Sequence, residues 1–239
     1  MNVYKKIALF LLSFSLVACQ AMEKHNTQHG PVKVRPFEVK QLGKSDVDMV
    51  IEIQIGYAME HLKLLMEKLY RRNPKEWRKG NHSSMEYAVA AVFGERRAVW
   101  FPELKGKRSI DAMYLAFDDK YEGDRVLALV EGLRGMIMDS YNGKQEIYIL
   151  EELDPQKIYY SARNVEITVW KLSNDRDSAG NLFLISNETG GDETNLSFER
   201  VFGKLISLQD SSARIVAEGT NRRIKNVIQS VATAIFFPI

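Results

Sequence analysis

Four carboxylates crowd into a seven-residue stretch, Asp118, Asp119, Glu122 and Asp124. Hard oxygen ligands this close in sequence could hold Ca2+. The run lacks the D-x-D-x-D-G order of a calcium loop, and Asp124 is placed to cap a following helix, where negative charge is favourable in any case. Other chemistry-bearing groups are sparse. His82-Ser83-Ser84 sets an imidazole beside two hydroxyls. A Ser–His pair works through spatial geometry that adjacency does not supply, and a helix cap at Ser83 or Ser84 accounts for the hydroxyls. His61 falls beside the apolar stripe of a long helix. His25 and His29 are four apart, but in a stretch bearing Gly30, Pro31 and Pro36. There is no Gly-rich phosphate loop, no G-x-S-x-G elbow and no H-E-x-x-H. No catalytic residue, metal ligand or cofactor is assigned. Paired carboxylates for glycan cleavage stay open, because any two of 31 acidic residues could meet in a fold.

Cys19 is the only cysteine. It follows Lys5, Lys6 and an apolar core from Ile7 to Ala18, too short for a permanent span, which needs about 20 residues. The positive start, short core and small residue before the cut have the form of a secretory signal. Leu16-Val17-Ala18-Cys19 resembles the lipobox of bacterial lipoproteins. That resemblance implies a diacylglycerol on the Cys19 thiol, cleavage before it, and acylation of the new amino group. Two or more acyl chains give stable anchoring, so the implied partner is membrane lipid through Cys19. Lipidation would also cap a lone thiol in an oxidising compartment. Gln20 stands where lipoproteins kept at the inner membrane carry Asp, which points to the outer membrane, facing the periplasm; the inner membrane and the cell surface are the alternatives.

Residues 1–18 are thus expected to be a cleaved signal, 19–44 a lipidated tether and 45–239 a helical globular domain. A flexible tether of that length spans about 25–30 Å. Cleavage removes two lysines and no acid, leaving 31 basic and 31 acidic residues. A neutral chain gives no case for nucleic acid. The charge is uneven: residues 71–108 carry ten basic and four acidic residues, and 109–154 carry eleven acidic and four basic. Either the two segments face each other or are simply solvated, or the surface is bipolar.

The elements that must position these groups are mostly helices. Ser45 and Asp48 form a capping-box pattern. Val47, Ile51, Ile55, Ala58, Leu62, Leu65 and Leu69 recur at steps of 3 and 4, one face of a helix ending before Pro74. Asn73-Pro74 restarts a short basic turn around Trp77, closed by Gly80. Further helices are expected over Ser84–Phe93, Asp124–Tyr141, from Asp154-Pro155 through Leu172, and from Asn195 towards Ile235, interrupted or bent at Gly219. In the second of these, Ala128, Gly132 and Gly135 make a smooth face for close approach of a neighbour. Ala98–Leu104 reads as extended. Gln145–Leu150 and Gly180–Ser186 read as short strands that could pair. The apolar Phe236-Phe237-Pro238-Ile239 is expected to dock on the body.

The fold class is therefore mainly α, a bundle-like globular domain with a minor β element. Two functions fit it. One is a non-catalytic envelope scaffold, assembly factor or protein-binding lipoprotein. The other is a small-molecule or glycan site, possibly hydrolytic, lined by Trp77, Trp100 and Trp170.

Overall fold

The computed structural model describes residues 43–95, 97–98, 100–148, 152–188, 195–220 and 235–239. Among them are seven α-helices: α1 Asp46–Arg72, α2 Pro74–Lys79, α3 Met85–Phe93, α4 Ser109–Leu115, α5 Arg125–Ser140, α6 Pro155–Asn174 and α7 Ser197–Thr220. A 3-10 turn, Pro102–Leu104, breaks the stretch expected to be extended. No described helix is long and apolar enough to cross a membrane.

The start of α1 is the capping box its sequence shows. Ser45 Oγ accepts from Asp48 N at 3.2 Å, and Asp48 Oδ2 accepts from Ser45 N at 2.7 Å. Such a cap contributes about 1 kcal/mol. From Ile51 to Leu69 the expected stripe is buried, whereas Val47 is 37% exposed. Asn73 does not cap α2 with its side chain. Its amide donates to the carbonyls of Leu69 and Ile185, and its Oδ1 accepts from Ile185 N.

Helix α5 lies at the centre of the core. Val126 to Val130, Leu133, Met136 and Ile137 are all 0–1% exposed, so apolar residues occupy nearly every side. The smooth face is used as anticipated. Helix α4, which the sequence pattern did not single out, packs its backbone there. A Cβ at Gly132 would stand 2.7 Å from Met113 N and 2.9 Å from Ser109 O, and one at Gly135 would stand 3.3 Å from Ser109 N.

Helices α1, α6 and α7 complete the bundle. Asp154 caps α6 by accepting from Gln156 N at 2.9 Å, with Pro155 in the first turn. Arg163 on α6 reaches Asp210 on α7 at 2.7 Å. Gln54 on α1 donates to Ser211 on α7 at 3.2 Å. Helix α7 runs through Gly219 to Thr220; Ile224 to Val231 of the expected stripe lie outside the described residues, and its last member, Ile235, is not helical and is 61% exposed. The 236–239 segment docks as expected. Phe236 is buried against Tyr114 with ring centroids 5.0 Å apart, and Phe237 stacks on Tyr160 at 4.9 Å. The buried Asn164 amide grips the Phe237 backbone from both sides, donating to its O and accepting from its N.

The two expected strands do not form. Residues 145–148 and 180–186 make no ladder, and 149–150 lie outside the described residues. The β content among described residues is two isolated bridges, Arg176 with Leu182 and Glu188 with Asn195. The segments' N–H groups go to side chains instead. Ile147 N donates to Glu52 Oε1, and Ile185 N to Asn73 Oδ1. Backbone groups satisfied in this way have no need of a partner strand.

The α4–α5 contact generates a direct expectation. Gly132→Ala should lower unfolding stability by about 1–3 kcal/mol, because the neighbouring atoms include backbone. Gly106→Ala, where nothing lies within 4 Å but φ is +77°, would lose stability through backbone strain alone. Urea unfolding of Gly132→Ala that matched the parent would refute the tight contact.

Candidate functional site

The residues singled out from sequence scatter. Cys19, His25 and His29 lie outside the described residues. Asp118, Asp119 and Glu122 are exposed, while Asp124 is fully buried. Asp118 Oδ1 accepts from Lys120 N, and Asp119 Oδ1 accepts from Ser178 N. Among the described residues no three His, Asp or Glu side chains converge as a metal-binding group. Ser84 caps α3 by accepting from Tyr87 N. His82 is half-buried beside Gly80, and His61 lies half-buried on α1.

Asp124 and Glu76 both serve the start of α5. Asp124 Oδ1 accepts from Leu127 N at 3.0 Å, and its Oδ2 accepts from the Tyr70 hydroxyl at 2.7 Å. Glu76, on α2, accepts from Arg125 N at 2.7 Å and pairs with Lys79 at 2.7 Å. Burial pushes the Asp124 carboxyl up to about 6, against the pull of the Leu127 N–H and the Tyr70 hydroxyl. The Tyr70 phenol is raised by its own burial and by the Asp124 charge beside it. Both carboxylates are committed to helix N–H groups that have no partner within α5.

An open cleft of about 720 Å³ lies between the loop before α4 and the outer edge of α5. Arg97, Trp100, Lys107 and Arg108 stand on one side, and Glu131 and Asp139 on the other. Arg134, Lys144 and Glu146 complete its charged lining, so both signs of charge stand on the 109–154 side. Most of the α5 charge is already partnered. Glu131 takes Arg134 in a two-pronged pair at 2.6 Å on each prong, and this raises the arginine's pKa. Asp139 accepts from the Ser109 hydroxyl. Ser109 holds φ at +48°, uncommon for a residue with a side chain, at the point where α4 meets Gly135. Trp100 is 62% exposed. Trp77 is half-buried against the core with Arg78 over its ring, and Trp170 is half-buried on α6. Of the three tryptophans, only Trp100 borders this cleft.

The feature that the sequence reading missed is on α1. Val50, Ile53, Tyr57 and Leu64 are 41, 48, 47 and 39% exposed. At about 100° per residue they lie on the side of the helix roughly opposite the core stripe. Glu60 and Glu67 continue the same line, and Asp46 and Arg71 end it. The signal was a second series of alternating steps, 46, 50, 53, 57, 60, 64, 67 and 71, running beside the more apolar first one. Comparison of the chain with protein-family models, with curated proteins and with solved structures gave no match.

The buried Asp124 makes stability depend on pH. Its folded pKa of about 6 lies above the value of about 3.9 in an unfolded chain. The folded state therefore holds this proton more tightly, and the associated stability is present below about pH 4 and lost as pH rises through 6. Asp124→Asn keeps a capping side chain and cannot ionise. The variant should gain on the parent in urea midpoint between pH 4 and 7. A difference between the two that stayed constant over that range would refute the shift.

Proposed function

We propose that this chain is a lipid-anchored protein of the bacterial envelope whose helical body binds a protein partner and carries out no chemistry itself. The observation that carries the reading is the outward line of α1. A surface helix normally turns charge to water on the side away from its core, yet Val50, Ile53, Tyr57 and Leu64 stand there about half exposed. Apolar residues aligned on one exposed face mark an interaction surface. The Leu16-Val17-Ala18-Cys19 lipobox supports anchoring, and Gln20 supports the outer membrane, with the body on the periplasmic side. The carboxylates near the core support the non-catalytic half of the reading, since Asp124 and Glu76 are occupied by helix capping.

The test uses the full chain in intact envelopes with a photo-crosslinking residue at Ile53, and at Lys204 on the exposed side of α7 as control. Crosslinking to one protein in stoichiometric yield is expected from position 53 and not from 204. Ile53→Ser should weaken that association about tenfold, the loss for removing one partly buried aliphatic side chain. Cys19→Ser should leave an uncleaved or mislocalised precursor. Equal, diffuse crosslinking from both positions, or normal processing and anchoring of Cys19→Ser, would count against the proposal.

A second reading rests on Trp100. Its exposed ring and the Arg97, Lys107 and Arg108 cations border a cleft within the size range of ligand sites. An acidic saccharide would use both, the sugar face on the ring and the carboxylate on the cations. Titration with a uronic-acid disaccharide should change tryptophan emission in the parent and much less in Trp100→Phe. No change at millimolar disaccharide would remove this reading.

A further inference from the structure

We infer that the occupant of the outward face of α1 is a second copy of this chain, packed antiparallel. This rests on the reading of that face as an interface and names its partner.

Asp46, Val50, Ile53, Tyr57, Glu60, Leu64, Glu67 and Arg71 alternate steps of 4 and 3 over the length of α1. That is the seam spacing of a two-helix coiled coil. The seam is not uniformly apolar, and its polar members decide the direction. In a parallel pair in register, each residue meets its own copy. Asp46 would then face Asp46, Glu60 would face Glu60, Glu67 would face Glu67 and Arg71 would face Arg71. Half of the eight layers would oppose like charges, which is destabilising.

An antiparallel pair removes every one of these clashes. With Ile53 set opposite Leu64 of the second copy, Tyr57 falls opposite Glu60, Val50 opposite Glu67 and Asp46 opposite Arg71. The two-fold axis repeats each pairing. The centre then holds two Ile–Leu layers and two Tyr–Glu layers, in which the phenol can donate to the carboxylate. The ends hold two Asp–Arg pairs. Asp46 is exposed, and the Arg71 side chain is 64% exposed, with a long 3.8 Å contact to Glu67 and the Glu86 carboxylate within reach of its charge. The antiparallel arrangement also sets opposite helix-dipole ends together. The same surface meets itself, as a two-fold interface requires.

Gly56 gives further support. It lies inside the 27-residue α1, beside the seam, and nothing stands within 4 Å of where its Cβ would be. Glycine in a helix interior costs about 1 kcal/mol relative to alanine. At Gly132 the crowding by α4 explains the missing side chain. At Gly56 no neighbour among the described residues does, and the backbone of a second α1 would use the space.

The experiment joins mass and register. Sedimentation of the purified full chain carrying Cys19→Ser should show a dimer, and Ile53→Ser should shift it towards monomer by about tenfold in concentration with its far-UV circular dichroism unchanged. For register, Ile53→Cys and Leu64→Cys are made separately in that background and mixed. A thiol cross-linker spanning about 8 Å should join 53 to 64 between chains. Each alone should cross-link poorly, because like positions lie 11 residues apart along the seam, about 16 Å. Efficient 53-to-53 and 64-to-64 products would overturn the antiparallel arrangement. A chain that stays monomeric to 100 µM would overturn the second copy as occupant. If position 53 then captured a different envelope protein, the proposed function would stand and only this inference would fall. An adduct of position 53 within its own chain would overturn both.

Discussion

Helix α5 has almost no side that meets water, and the elements around it answer that constraint. A helix enclosed in this way needs apolar residues nearly all round, and Val126 to Val130 supply them in one unbroken run. Its first N–H groups are also out of reach of solvent, so they must find acceptors inside the protein. Asp124 and Glu76 provide these from two different elements. The cost is a carboxylate held where its charge is disfavoured, and the Tyr70 hydroxyl offsets part of it. Gly132 and Gly135 let α4 come close enough to seal the remaining side. Where α5 does reach the surface, along Glu131, Arg134 and Asp139, it forms one side of the charged cleft.

Helix α1 meets the opposite situation. It is long, its core face is satisfied by α5 and α7, and its other face still carries aliphatic and aromatic groups. The buried stripe serves the fold, and in the proposed function the outward line serves association. In the proposed pairing, the charges interrupting that outward line restrict which partner can sit on it. There Glu60 and Glu67 would oppose their own copies in a parallel pair and would not in an antiparallel one. A lipid anchor through Cys19 would hold copies in one plane and raise their effective concentration, so a modest seam could suffice.

The fold was legible in the sequence where local signals agreed with tertiary demand. Ser45, Ser84 and Asp154 read as caps and are caps. The Ala128, Gly132 and Gly135 face read as a docking surface and is one, although the helix that uses it was not seen. Helix α4 is only seven residues long, and its Arg108 cap position makes no side-chain hydrogen bond, so it carries no starting signal. The expected strands failed for a non-local reason. Whether Ile147 and Ile185 pair with another strand or with Glu52 and Asn73 depends on residues about a hundred positions away. The candidate site was half legible. The uneven charge of residues 71–108 and 109–154 gave no sign of a cleft, and the grouping of three tryptophans did not hold. The outward line of α1 was present in the spacing but masked by the stronger core stripe beside it.

Native mass spectrometry of the protein extracted from its own membranes tests the account most directly, because one mass reports both anchoring and association. The account expects twice the mass of a chain that begins at Cys19 and carries three acyl groups. A single chain of unacylated mass with residues 1–18 still attached would contradict it.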